Sequence, residues 1–307
     1  NIMNDQPHKP RWFKDNEILI INAPTCGINK DGVTQYKVGK DGTRSETEID
    51  DKLSDVVKSI CSDAQSSAYY EYKTTSEIID SQVWVPQFHD KSSERAIDEL
   101  FEGINSFRLV TLDSLRKGGK ILIRNGHGSP SSDQRIGDIP YIKVSDIRAG
   151  QININPTNRI PKELAMKFWK GPDSKLQAYD LISPERASKN IGEFAILMPG
   201  QENIVLTKEV IIIRSNVPNE FDQFYLMWAL SLKVVREQWK RIILMQTNRE
   251  DVGTRYLEIK IPIPSTKKVA DDISKSFREY YKEIATARKK LYDQLNSSGY
   301  EHIFQLY

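Results

Sequence analysis

Residues 125–150, NGHGSPSSDQRIGDIPYIKVSDIRAG, hold several independent signals in one place. Gly126, Gly128 and Pro130 with three serines permit sharp turns and close backbone approach, so the stretch opens as a loop. IPYIKV comes next, apolar and β-branched, and reads as a strand. Asp146 and Gly150 close it with turn chemistry. A loop carrying Arg124, Asn125, His127, Ser129 and Arg135 in front of a buried strand, with Lys143 at the strand's end, presents hydrogen-bonding groups to a partner from a rigid base.

Around this stretch, 307 residues of ordinary globular composition with no long apolar run predict two compact domains and no membrane span. Cys26 and Cys61, with no signal peptide, fit free thiols in a reducing, cytoplasmic compartment. The net charge of +2 is unevenly spread. Residues 1–104 carry 12 Lys+Arg against 19 Asp+Glu, and residues 105–307 carry 32 against 23. An acidic part followed by a basic part points to a polyanion partner for the second alone, or to a merely solvated basic surface.

Gly128-Ser129-Pro130, a polar spacer, then Gly137-Asp138-Ile139-Pro140-Tyr141-Ile142-Lys143-Val144-Ser145-Asp146-Ile147 resembles the opening of a target recognition domain. Such domains occur in DNA-specificity subunits of type I restriction-modification systems and at the carboxyl end of adenine-specific DNA methyltransferases. The order of the later segments is similar to the family pattern too. Tyr179-Asp180-Leu181-Ile182 takes the place of a Gly-Asp-Leu-Leu strand, with Tyr179 where the pattern carries glycine. Arg186 to Gly192 takes the place of an Arg/Ile-Gly loop. A helix over 221–242, with Phe224, Leu226, Met227, Leu230, Val234 and Val235 apolar and Lys233, Arg236, Lys240 and Arg241 on a basic side, precedes Ile261-Pro262-Ile263-Pro264. The likeness covers roughly 190 residues.

Upstream, ILIINA (18–23) reads as a buried strand of the parallel-sheet kind, and a tight Asp31-Gly32 turn leads to a second strand, giving a hairpin. That hairpin resembles the last one of the catalytic domain in adenine-specific DNA methyltransferases. Such a domain needs a glycine-rich strand-to-helix turn for S-adenosylmethionine and an Asn/Asp-Pro-Pro-aromatic loop for the flipped adenine. The sequence has neither, so it would start after the catalytic core or belong to a separate subunit. A helix around 51–64 and a strand VWVPQF (83–88) complete this part. ERAIDELFEGI, with Ile97, Leu100, Phe101 and Ile104 on one face, forms the joint.

Residues 151–161 read as an extended segment and KELAMKFWK as a short basic helix ending at Trp169. Period-two hydrophobicity across 176–216 reads as several antiparallel strands. Residues 267–295 place Ile273, Phe277, Tyr280, Ile284, Ala287 and Leu291 at spacings of four and three, a coiled-coil seam about 40 Å long at 1.5 Å per residue. The other reading is a helix packed on its own domain. In the resembled family such helices are spacers that pair with a second helix. Here the partner helix would come from another chain, as in a homodimer, or from sequence outside this one.

The expected fold is mixed α/β: a methyltransferase-tail segment (1–104), a recognition domain (105–265) and a spacer helix with its tail (266–307). The function it implies is reading a short half-site in double-stranded DNA for an adenine-specific methyltransferase core that works in cis or as a subunit. Candidate DNA contacts are Arg124, Asn125, His127, Ser129, Arg135 and Lys143, then Arg186, Lys189 and Asn190, then Gln246, Thr247, Asn248 and Arg249. No cofactor is expected on this chain; S-adenosylmethionine, and magnesium where used, fall to the catalytic partner. His8, His89, His127 and His302 are scattered and the cysteines lack ligand spacing, so no metal site is read. A catalytic residue is not expected either. Trp169 and Trp239 fit core packing better than base stacking. Two other functions stay open: a protein-interaction adaptor acting through the last helix, and a magnesium nuclease using Asp251, Glu258 and Lys260.

Overall fold

The computed structural model describes residues 13–62, 69–170, 175–186, 188–246, 249–303 and 306–307. The chain divides into two compact units between Asp90 and Lys91. The first unit runs β1 (Glu17–Ile21), β2 (Tyr36–Val38), β3 (Arg44–Ile49), α1 (Lys52–Cys61), β4 (Tyr70–Thr74), α2 (Thr75–Ser81) and α3 (Pro86–His89).

β1 is the expected apolar strand, but its partner is β4, antiparallel. The Asp31-Gly32 turn closes only a single bridge between Ile28 and Thr34. Asn29 Oδ1 takes the amides of Asp31 and Val33, both at 2.9 Å, and curls the chain back at once. The hairpin forms between β2 and β3 instead. Asp51 caps α1 through the Ser54 amide at 2.9 Å, and Val56 and Ile60 pack on Tyr70. The strand expected at 83–88 is replaced by α3, because Pro86 has no amide for a ladder and a backbone suited to a helix's first turn.

The second unit begins with α4 (Ser92–Phe101), β5 (Phe107–Thr111), α5 (Leu112–Lys117), β6 (Ile121–Asn125), β7 (Ile139–Ile142), β8 (Ile147–Arg148), β9 (Gln151–Ile152), β10 (Arg159–Ile160) and α6 (Lys162–Phe168). It continues with β11 (Leu181–Pro184), β12 (Ala195–Ile196), β13 (Val205–Leu206), β14 (Val210–Ser215), α7 (Gln223–Ser231) and α8 (Lys233–Ile242). β15 (Leu244–Gln246), β16 (Arg249–Asp251), β17 (Lys260–Pro264) and α9 (Lys267–Ser297) complete it. The boundary expected after residue 104 therefore lies inside this unit. α4 belongs here because Glu94 meets Arg241 of α8 and Asp98 meets Lys260 of β17, each at 2.9 Å, while Ile97 is fully buried. Leu100 and Ile104, expected on the same inner face, are exposed.

A six-stranded sheet in the order β6-β14-β11-β12-β9-β8 and a three-stranded sheet β10-β7-β13 share the core. β11 pairs antiparallel with β12 and β14. β13, expected to be antiparallel like its neighbours, runs parallel to β7. β17 pairs with β5, which brings the Ile-Pro-Ile-Pro segment to the start of the unit. Tyr179 adopts φ 70, the left-handed backbone for which the family pattern uses glycine. Its ring offsets that cost by packing on Phe224 at 4.9 Å.

The segment 221–242 is two helices, broken at Leu232 with φ −58 and ψ 132. α7 is apolar all round, burying Phe224, Tyr225, Leu226, Met227, Ala229 and Leu230. α8 is two-faced and packs beside α4 with Trp239 fully buried. One straight helix could not be enclosed and then amphipathic in a new direction. Arg241, expected on a basic outer side, is buried between Glu94 at 2.9 Å and Glu258 at 2.8 Å.

α9 is about 46 Å long at 1.5 Å per residue and belongs to the second unit rather than forming a separate part. At 100° per residue, Ala270, Ser274 and Tyr281 form one strip, and all three are buried. Arg278 binds Asp222 at 2.7 Å, the Tyr281 hydroxyl donates to Gly150 O at 3.1 Å, and Arg288 donates to Gln151 Oε1 at 2.7 Å. The seam residues lie on the neighbouring strip. Ile273, Phe277 and Ile284 are half-buried, and Tyr280, Ala287 and Leu291 are exposed. No helix among the described residues is long and apolar enough to cross a membrane.

β14 carries one charged side chain into the sheet, Arg214, and Asp180 answers it from the entry to β11. Two hydrogen bonds join them, Nε to Oδ1 at 2.6 Å and Nη2 to Oδ2 at 2.7 Å, and Asp180 is fully buried. Asp180→Ala leaves Arg214 without its counter-charge and is expected to cost about 3–5 kcal/mol. A shift of the urea midpoint worth less than about 1 kcal/mol would show that the pair does not hold the sheet.

Candidate nucleic-acid interface

Where β6 meets β14, the Gly126 amide donates to Val210 O at 2.9 Å. A Cβ on Gly126 would sit 1.8 Å from Thr207 O, so only glycine lets the loop lie flat on the turn between β13 and β14. His127 then grips Leu206 from both sides. Its amide donates to Leu206 O and its Nδ1 accepts from the Leu206 amide, both at 3.0 Å. Ser129 Oγ lies 3.2 Å from Thr207 Oγ1.

The second loop joins the same place through Glu185. Its amide donates to Glu209 O at 3.0 Å, its Oε1 accepts from Asn125 Nδ2 at 2.9 Å, and its carbonyl accepts from Val252 at 3.2 Å. One residue thus ties the end of β6, the β13–β14 turn and the exit of the β15–β16 hairpin together. Lys143 follows β7, and Lys208 follows the parallel strand β13, with Thr207 N donating to Ile142 O at 2.9 Å. Both lysines therefore leave the same end of the parallel pair. Burial pushes the carboxyl of Asp146 up, although it accepts the Lys143 amide at 2.8 Å.

The expected contact residues have different fates. Arg124 is half-buried with Nη2 on Lys175 O at 3.4 Å, and Arg135 puts Nε and Nη2 on Pro130 O at 3.3 and 3.0 Å. With His127, these hold the loop's own shape. Asn125, Ser129 and Lys189 are exposed, and Arg186 and Asn190 half-buried, around the Glu185 junction. Gln246 and Arg249 pair as the last rung of the β15–β16 hairpin, while Thr247 and Asn248 lie outside the described residues. Lys208, Thr207 and Glu185 are additions. The sequence marks them only as a Thr-Lys-Glu step between two apolar runs and a Glu after a proline.

The other chemistries find little support in the geometry. Glu258 belongs to a 3₁₀ turn and binds Arg241 at 2.8 Å, so the strand begins only at Lys260, whose Nζ is 2.9 Å from Asp98. Among the described residues, no group of three His, Cys, Asp or Glu side chains is placed to hold a metal ion. Trp239 is core, and Trp169 is half-buried with Nε1 donating to Ile204 O at 3.1 Å.

No protein-family model and no curated protein matches the chain. Among solved structures, it is similar to the S subunit of a type I restriction-modification system from M. genitalium. Identity is 14% over 64% of this chain and 45% of that one, with a TM-score of 0.41. It is also similar to the HsdS subunit from Thermoanaerobacter tengcongensis, at 14% identity over 65% and 44% of the two chains and a TM-score of 0.38. Similarity to the type IIG restriction endonuclease BpuSI is 11% over 74% and 33%, with a TM-score of 0.46. The chain spans less than half the length of each.

Gly126→Ala is expected to destabilise the second unit by about 1–3 kcal/mol, since backbone rather than a side-chain tip fills the space. An unchanged thermal midpoint would mean that the loop does not rest on Thr207.

Proposed function

We propose that the second unit is the DNA-sequence recognition part of a restriction-modification methyltransferase, reading a short half-site for a catalytic core supplied in cis or as a subunit. The observation that carries this reading is the junction at Glu185, where three loop regions distant in sequence share one end of the sheets. With the boundary at Asp90, the first unit holds 10 Lys+Arg against 15 Asp+Glu and the second 34 against 27, so this end belongs to the basic part.

Lys143, Lys189 and Lys208 fix register on phosphates. Asn125, Ser129, Arg186 and Asn190 face base edges, and the third set of expected contacts, Gln246, Thr247, Asn248 and Arg249, binds the DNA as well. S-adenosylmethionine and any magnesium belong to the partner, which flips the adenine. The accessible strip of α9, with Tyr280, Ala287 and Leu291 at its surface, pairs with a second such helix, in the simplest case that of another copy.

Selection of duplexes from a random pool at two salt concentrations tests the reading. An enriched short motif is expected. With three phosphate contacts, affinity should fall roughly fortyfold between about 50 and 200 mM salt. Salt-sensitive binding without a motif, or no binding, would overturn it. Ile284→Asp should lower the sedimenting mass of an assembled pair, and an unaltered mass would leave α9 as a helix that serves its own unit alone.

A further inference from the structure

The tip of the first loop carries a feature that the junction does not use. Ile136 is 83% exposed, yet the chain on both sides of it is held. Before it, Arg135 turns inward onto Pro130 O and lies 5.5 Å from the centre of the buried Tyr141 ring. After it, Gly137 is pressed so close to the next segment that a Cβ would meet the Ile160 carbonyl carbon at 2.2 Å. Residues 132–134 form a 3₁₀ turn, the Gln134 backbone amide donates to Ser131 O at 3.2 Å, and the exposed Gln134 side-chain carboxamide has no hydrogen-bond partner among the described residues.

Single exposed aliphatic side chains are common on protein surfaces, and what sets Ile136 apart is that the chain on both sides of it is held, so the side chain is presented from a fixed backbone. The tip's chemistry limits the partner it fits. Its only cation, Arg135, is withdrawn, and the exposed Asp133 repels phosphate. What remains outward is an amide and an aliphatic group two residues apart. A primary amide matches adenine N6 and N7, and an aliphatic group matches the thymine methyl.

Building on the proposed DNA-reading function, we propose that this tip enters the major groove and reads A·T, with Gln134 bonded to adenine and Ile136 covering a thymine 5-methyl. Both are specificity-determining positions outside the junction. Each is exposed, so Ile136→Ala and Gln134→Ala should leave the melting temperature unchanged.

The test uses the full chain and the duplex enriched from a random pool, with uracil replacing thymine one position at a time. Removing that one methyl should weaken wild-type binding roughly fourfold at one position, the worth of a buried methyl group. The same replacement should not weaken Ile136→Ala, which already binds the thymine duplex more weakly. Gln134→Ala should relax base preference at that pair or its neighbour.

If the wild type enriches a motif but tolerates uracil throughout, or if Ile136→Ala responds to uracil as the wild type does, the A·T assignment is overturned while DNA reading stands. If the wild type enriches no motif, both fall. Loss of binding by Ile136→Ala to every duplex alike would make it a non-specific contact and overturn the assignment too.

Discussion

An arginine inside a sheet is sustainable only with its counter-charge beside it, and the Arg214–Asp180 pair meets that condition in the second unit. Arg214 sits on β14, between β6 and β11, and Asp180 sits just before β11. The same carboxylate accepts the Gln177 amide at 2.9 Å, and Arg214 Nη2 also reaches Lys175 O at 3.0 Å, the carbonyl that Arg124 approaches from β6. Three adjacent strands are thereby locked at one level. Asp180 in the Tyr-Asp-Leu-Ile segment gains a physical reason: it neutralises a charge that the next strand but two brings into the core.

With those strands fixed, the loops at the other end of the sheet have little freedom. Gly126 lies against Thr207, His127 brackets Leu206, and Glu185 gathers β6, the β13–β14 turn and the hairpin exit. Much of the polar chemistry placed in this region is spent on its own architecture. What is left outward is a sparse set: lysines at strand ends, a few amides and hydroxyls, and the tip at Ile136. A recognition surface needs such a division, because groups that must meet base edges within a few tenths of an ångström have to be carried by others that do not move.

Local signals are readable where one residue type decides the geometry. The loop before β7, the α6 segment ending at Trp169, the Ile-Pro-Ile-Pro strand and the long α9 all stand where composition puts them. Pairing is not readable. β1 joins β4 across a helix, and β13 runs parallel to β7, because partner choice depends on long-range packing that strand composition does not encode. The break at Leu232 has no proline or glycine to announce it. It arises because α7 is enclosed while α8 has to face α4. The inward turn of Arg124, Arg135 and Arg241 is equally hidden, since a side chain's charge does not say whether it meets solvent, a carbonyl or a buried carboxylate. Ile136 is hidden for the opposite reason: in a polar loop an isolated isoleucine looks like an anchor, and only its exposure shows that it is not.

Amide hydrogen exchange of the full chain, with the selected duplex and with a scrambled duplex of equal length, tests the placement of the proposed DNA face most directly. Slowed exchange is expected over 125–137, 185–190 and 207–209 with the selected duplex, and weak or no slowing there with the scrambled one. Slowing confined to α9 or to the first unit, or identical slowing with both duplexes, would contradict that placement.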